Sequence, residues 1–232
     1  KAIMINLNFI DVFCGAGGLS LGLSKAGWKC LAGIDHLKPA IDTFTLNHKD
    51  SIGICDDMRD ISTKEVSKRI GKKKVQLICG GPPCQGFSTI GTGNVDDERN
   101  HLFLEFLRFV EYFNPSYILI ENVTGLLAKK NTDTLISILD SFDKLGYFLD
   151  VRVLTASHFG VPQARRRVIF VGNNLGIENR FPNKKYNNPN ENLPSLKKSR
   201  TVGWALDKLI TLRNKAYNHD IEEAEIKSNI EK

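Results

Sequence analysis

Short apolar runs alternate with amphipathic stretches through most of this chain, and that alternation admits few folds. Runs at 9–13, 30–34, 75–79 and 117–120 have strand length, while 19–26, 39–47, 102–113 and 135–145 repeat their apolar residues at helical spacing. Strands joined through helices pair in parallel, because the returning helix covers one face of the sheet. Two later runs, 148–154 and 168–171, have no helix between them and predict an antiparallel pair. The expectation is an α/β fold: an open, mostly parallel sheet with helices on both faces and an antiparallel edge hairpin.

Composition changes towards the end. Residues 182–194 hold five asparagines and three prolines, too little apolar surface for a core. A short helix is expected at 204–212 and a charged helical segment at 220–232. At about 100 to 200 residues per domain, the chain reads as a main domain over 1–180. A linker and the start of a further region follow over 181–232. The formal charge of +6 is local: residues 165–200 carry nine basic and two acidic side chains, whereas the first 164 balance at 18 of each.

With 41% hydrophobic and 25% charged residues the chain is not disordered, collagenous or a coiled coil as a whole. Five cysteines, an odd number without a C-x-x-C pair, suit a reduced cytosolic protein rather than a disulfide framework. The longest uncharged run, 75–95, is broken by Pro82 and Pro83, so no membrane span is expected. The basic stretch 68–74 reads as a solvated helix end and loop.

Three places carry chemistry. Phe13, Cys14, Gly15, Ala16, Gly17 and Gly18 follow a strand and open a helix, so their backbone can approach a ligand closely. The spacing is not that of a pyrophosphate-binding turn. Asp35 ends the second strand, where a carboxylate can accept from both ribose hydroxyls. Together they suggest a nucleoside-containing cofactor without a pyrophosphate, against the plainer reading of a tight turn and a helix-capping Asp. Gly80 to Ser88, with Pro82, Pro83, Cys84 and Gln85, leave a strand at the carboxyl edge where open α/β sheets bind ligands. Cys84 is either a nucleophile or a packing thiol, and the other four cysteines fit small core positions. Glu121, Asn122 and Val123 end the next strand at the same edge, as a working acid or a solvated strand end. Arg165, Arg166 and Arg167 enter an apolar strand, so Arg165 and Arg167 share a face; a plain basic edge is the alternative.

In this order, the segment from Phe13 to Gly18, Pro82-Pro83-Cys84-Gln85, Glu121-Asn122-Val123 and Gln163 to Arg167 closely resemble the cytosine carbon-5 DNA methyltransferases. The resemblance covers about residues 8–173, and more weakly 201–209. It implies a Rossmann-like fold and S-adenosylmethionine as cofactor. It also implies Cys84 as the thiolate that adds to carbon 6 of cytosine and Glu121 as the acid held against N3 and the exocyclic amine. Arg167 would contact the base carbonyl and Arg165 would be its companion. For the cofactor it implies Phe13 stacked on adenine beside Gly15, Gly17, Gly18 and Pro82, with Asp35 on the ribose and His36 on the other adenine face. Asp57, next to Met58, would accept from the adenine amine, with Asp56 one position away as the other match. Pro83, Gln85, Ser88, Asn122 and Val123 fall at the substrate side. The base would be flipped out of double-stranded DNA, with 85–100 closing over it.

Relatives continue into a target-recognition domain and a terminal helix, so the expectation is a truncated chain, or one subunit of a split enzyme whose second subunit supplies the remainder. A transfer-RNA cytosine methyltransferase and a non-catalytic DNA-binding subunit are the alternatives. A zinc deaminase is excluded, because its P-C-x-x-C and H-x-E signatures are missing. No metal site is expected.

Overall fold

A computed structural model of the chain describes residues 7–83, 98–187, 195–207 and 209. Strand β1 (Asn8–Val12) leads through the glycine turn into helix α1 (Gly18–Lys25), followed by β2 (Lys29–Asp35), α2 (Lys38–Asn47), β3 (Ile52–Cys55) and α3 (Thr63–Arg69). The chain continues through β4 (Leu77–Gly80), α4 (Glu98–Phe113), β5 (Tyr117–Val123), α5 (Thr132–Lys144), β6 (Phe148–Thr155) and β7 (Arg166–Asn173). The seven strands form one sheet in the order β3-β2-β1-β4-β5-β7-β6. Pairings among the first five are parallel. β7 runs antiparallel to β5, from Tyr117 opposite Asn173 to Val123 opposite Arg167. The mostly parallel sheet and its antiparallel edge are as the apolar pattern predicts. That β7 inserts beside β5 and leaves β6 outermost is new.

The central strands are buried on both faces, which is why they read as continuous apolar runs. On one face Phe9, Leu77 and Cys79 pack with Ile41 and Phe44 of α2 and Leu19 and Leu23 of α1. On the other, Ile10, Val12 and Ile78 pack with Val66 of α3, Phe106 of α4 and Phe142 of α5. Helices therefore cover both faces. β3 and α3 went unread in the sequence: β3 has four residues and buries only Ile54 among them, so it carries neither an apolar run nor an alternation.

The chain divides into two compact units, Lys1–Val153 with Arg167–Phe181, and Leu154–Arg166 with Pro182–Lys232. In the second, the amides of Lys185 and Tyr186 both donate to the His158 carbonyl, and the Tyr186 ring fills the space that a side chain on Gly160 would need. Residues 202–207 are helical. Among the described residues, no helix is long and apolar enough to cross a membrane.

Candidate functional site at the carboxyl edge of the sheet

The chain runs outward from β1 to β2 and β3 on one side, and from β4 to β5 on the other. The direction of winding therefore reverses between β1 and β4, which opens a crevice beyond their carboxyl ends. These two strands approach closely: a Cβ on Gly80 would lie 1.9 Å from the Val12 carbonyl oxygen, so only glycine fits. The turn after β1 is held in left-handed conformations, with φ 59° at Phe13, 54° at Gly15 and 88° at Gly17. Gly17 also lacks room, because a Cβ would meet the His48 and Phe44 rings of the α2 end. At Gly18 a side chain would meet nothing, so its place is not enforced by packing.

Asp35 fastens the turn. Its Oδ2 accepts from the Gly15 amide and its Oδ1 from the Leu37 amide, both at 2.9 Å, and the residue is buried. His36 next to it is exposed, with Nδ1 3.5 Å from Asp35 Oδ1. Beyond the turn, Phe13, His36, Asp57, Met58, Arg59, Pro83 and Leu102 line a cleft of about 270 Å³. Five residues singled out in the sequence thus meet in one cavity. Asp57, not Asp56, is the acid on its wall. Arg59 grips the Asp57 carboxylate through Nε at 3.0 Å and Nη2 at 2.7 Å, and this holds its pKa down at about 2. The Asp56 side chain instead accepts from the Asp57 amide. Met58 is buried. An aromatic face, carboxylate acceptors and a glycine-rich turn together can hold a nucleoside.

The end of β5 stands across the β4 end. Arg167 Nε lies 2.7 Å from Glu121 Oε1, an ion pair by distance in which the N–H is angled off the oxygen. A Cβ on Gly81 would stand 3.5 Å from Glu121 Oε2, so this carboxylate borders the loop that leads to Pro83. Asn122 is buried; its Nδ2 donates to the Pro82 carbonyl at 2.9 Å and its Oδ1 accepts from the Val123 amide. It ties the Pro-Pro loop to β5. Val123 is exposed. Arg165 is exposed and belongs to the second unit. Cys84, Gln85 and Ser88 lie outside the described residues. Of the segment expected to close over the base, residues 98–100 already belong to α4.

The sequence profile of C-5 cytosine-specific DNA methylases matches residues 7–232. The chain belongs to this family. Over 230 residues it is 36% identical to the type II methyltransferase M1.HphI of Haemophilus parahaemolyticus, covering 94% of this chain and 59% of that protein. It is 43% identical over 165 residues to M.AgeI of Thalassovita gelatinovora, covering 70% and 38%. A prophage-encoded E. coli protein assigned as a DNA modification methyltransferase superposes with a TM-score of 0.69 at 29% identity, over 86% of this chain and 54% of that one. The chain therefore spans between about two fifths and three fifths of the length of these two curated relatives.

Within this C-5 cytosine methylase fold, four supporting residues escaped the sequence reading. Arg108 of α4 donates to the carbonyls of Met58 at 2.7 Å and Ile61 at 3.0 Å, so α4 braces the cleft wall. Arg59 and Leu102 complete the lining. Asp11 is buried in mid-strand under the turn, its Oδ2 accepting from Ser20 Oγ at 2.6 Å. A charged residue inside an apolar strand was the one available signal for it. Cys14, Cys30 and Cys79 are buried, as small core residues should be, and burial raises the pKa of each thiol. Cys55 is a correction: it sits exposed at the end of β3, because that strand is the edge of the sheet.

Proposed function

We propose that this chain carries the catalytic part of an enzyme that methylates carbon 5 of cytosine in double-stranded DNA, using S-adenosylmethionine. The observation that carries the reading is the shared edge: the nucleoside-sized cleft at Phe13, Asp57 and Pro83, and the Glu121–Arg167 pair bordering the loop into Cys84. The cleft suits the nucleoside end of the cofactor. Phe13 offers a ring face, Asp57 an acceptor for the adenine amine, and Asp35 keeps lone pairs for the ribose beyond the two amides it already accepts. When bound, this cofactor supplies the electrophilic methyl group.

Carbon 5 of cytosine is a weak nucleophile until a group adds at carbon 6, and a thiolate is suited to that addition. Cys84 takes this part. As its sulfur bonds to carbon 6, electron density moves onto N3, where Glu121 acts as general acid. Arg167 already sits against Glu121, placing fixed positive charge where the ring gains negative charge. Carbon 5 then bonds the methyl group, with S-adenosylhomocysteine as the leaving group. Water takes the carbon 5 proton, and the electrons of that bond re-form the carbon 5–carbon 6 double bond as the carbon 6–sulfur bond breaks to release the Cys84 thiolate. N3 returns its proton to Glu121. The target carbon is inaccessible inside a duplex, so the base is flipped into the site.

The test incubates the full chain with S-adenosylmethionine and duplex DNA containing 5-fluorocytosine, whose carbon 5 bears fluorine in place of the proton that must leave, so that the adduct cannot break down. A covalent adduct is expected with the wild type and not with Cys84→Ser. Adduct formation that survives this substitution refutes the nucleophile. Glu121→Gln should lower turnover on ordinary DNA by about 10² to 10⁴, and unchanged turnover removes its role.

A further inference from the structure

Asp11 is the one carboxyl group wholly inside the sheet layer among the described residues, and it does not line the cleft. It lies in β1 two residues before Phe13, and its partner Ser20 lies in the first turn of α1. The pair therefore joins the two ends of the glycine turn. Ser20 is fully buried, so the bond is shielded from water. The second carboxyl oxygen, Oδ1, is also buried and has no hydrogen bond of good geometry; the Ser20 amide and the Cys79 thiol stand near the carboxyl and offset part of the cost of burying it. Around the carboxyl stand Ser20 of α1, Cys14 of the turn, Cys30 of β2, Cys79 of β4 and, at the end of β2, Asp35. Just past the end of α2, His48 reaches the turn at the Gly17 carbonyl. Apart from that imidazole these groups are thiols, a hydroxyl and a second acid, with no lysine or arginine among them.

A carboxylate in this setting lacks a counter-charge and a full set of donors, which is costly in a dry interior. The neutral acid avoids that cost and still accepts from Ser20 through Oδ2. We propose that Asp11, in its neutral form, is the positioning residue of the cofactor turn: it holds the start of α1 against the end of β1 through Ser20 and thereby fixes the backbone between Phe13 and Gly18. Two acids with different duties then bracket the turn. Asp35 fastens it from outside through the Gly15 amide, and Asp11 closes it from beneath. Burial raises the Asp11 pKa to about 7, so the neutral form is the main one below that pH and gives way above it. Deprotonation leaves an uncompensated charge under the turn and loosens its ends. Cofactor affinity consequently falls as pH rises through this range.

This inference rests on the cofactor reading above, and the experiment separates the two. S-adenosylmethionine binding to the full chain is measured by calorimetry at pH 6 and pH 9, for the wild type, Asp11→Asn, Ser20→Ala and Asp35→Ala, with thermal unfolding of each as the folding control. If the wild type binds no cofactor at either pH, the cofactor reading itself fails. If it binds, Ser20→Ala should weaken binding about tenfold at pH 6, the loss of one buried hydrogen bond. Asn at 11 keeps the acceptor and the shape without the titration, so Asp11→Asn should match the wild type at pH 6 and bind more tightly than it at pH 9. A folded Asp11→Asn that binds about tenfold more weakly at pH 6 shows that the charge is needed and overturns the proposal. Parallel pH profiles of wild type and Asp11→Asn overturn it equally. Asp35→Ala should weaken binding at both pH values and still show a fall between pH 6 and pH 9, with the fall moved to lower pH because the Asp35 charge no longer raises the Asp11 pKa.

Discussion

At the scale of single residues, the site is built by groups that hold backbone as much as by groups that face a ligand. Asp35 and Asn122 each spend hydrogen bonds on the loops at the carboxyl edge, one on the glycine turn and one on Pro82. Gly80 and Gly17 are there because a Cβ would collide, with Val12 in one case and with the α2 end in the other. Asp57 shows how a charged neighbour tunes an acceptor. Its grip by Arg59 keeps it ionised down to about pH 2, so the stabilisation from this pair is complete above the ordinary carboxylate range, near 3.8, and is lost as pH falls towards 2. Arg59→Ala should return the Asp57 titration towards 3.8 when followed by carboxyl-carbon NMR. A titration still near 2 in that variant would mean that some other group holds the charge.

At the scale of elements, what fixes the site is how α2 and α4 are seated. α2 lies directly on β2 because Gly33 leaves space for the Phe44 ring, which a Cβ there would strike at 2.4 Å. On the other face Phe142 of α5 meets Phe103 and Phe106 of α4 edge-on, with centroids 5.8 and 6.2 Å apart. These rings hold α4, and α4 in turn carries Arg108, which braces the cleft wall. Phe142→Ala should cost about 3 to 5 kcal/mol in denaturant unfolding, the range for a fully buried ring. A loss below about 1 kcal/mol would show that α4 is held by other contacts.

At the scale of the whole molecule, the basic excess of residues 165–200 is the feature that bears on the proposed duplex substrate. In the second unit the Arg200 guanidinium lies 4.5 Å from the Trp204 ring centroid and 5.4 Å from that of Tyr186, which keeps its charge at a defined place. If Lys198 and Arg200 contact phosphates, replacing both with Ala should reduce the salt slope of DNA binding by up to about 2, since each contact contributes roughly 0.9. An unchanged slope assigns these cations to solvent. The apolar runs of β1, β2, β4 and β5 were legible because a strand covered on both faces leaves no polar alternation to confuse it. The turn, the Pro-Pro loop, Glu121 and Arg167 were legible because strand ends in such a sheet gather at one edge. Sequence alone therefore determined the class of sheet, the family and most of the residues on the cleft. Only the tertiary structure decided that β7 lies between β5 and β6, that Asp57 rather than Asp56 faces the cavity, and that Arg108 and Asp11 support it. Those outcomes depend on contacts between residues distant in the chain, or on which way neighbouring side chains turn at the end of a short strand, and neither leaves a periodic trace in the order of residues.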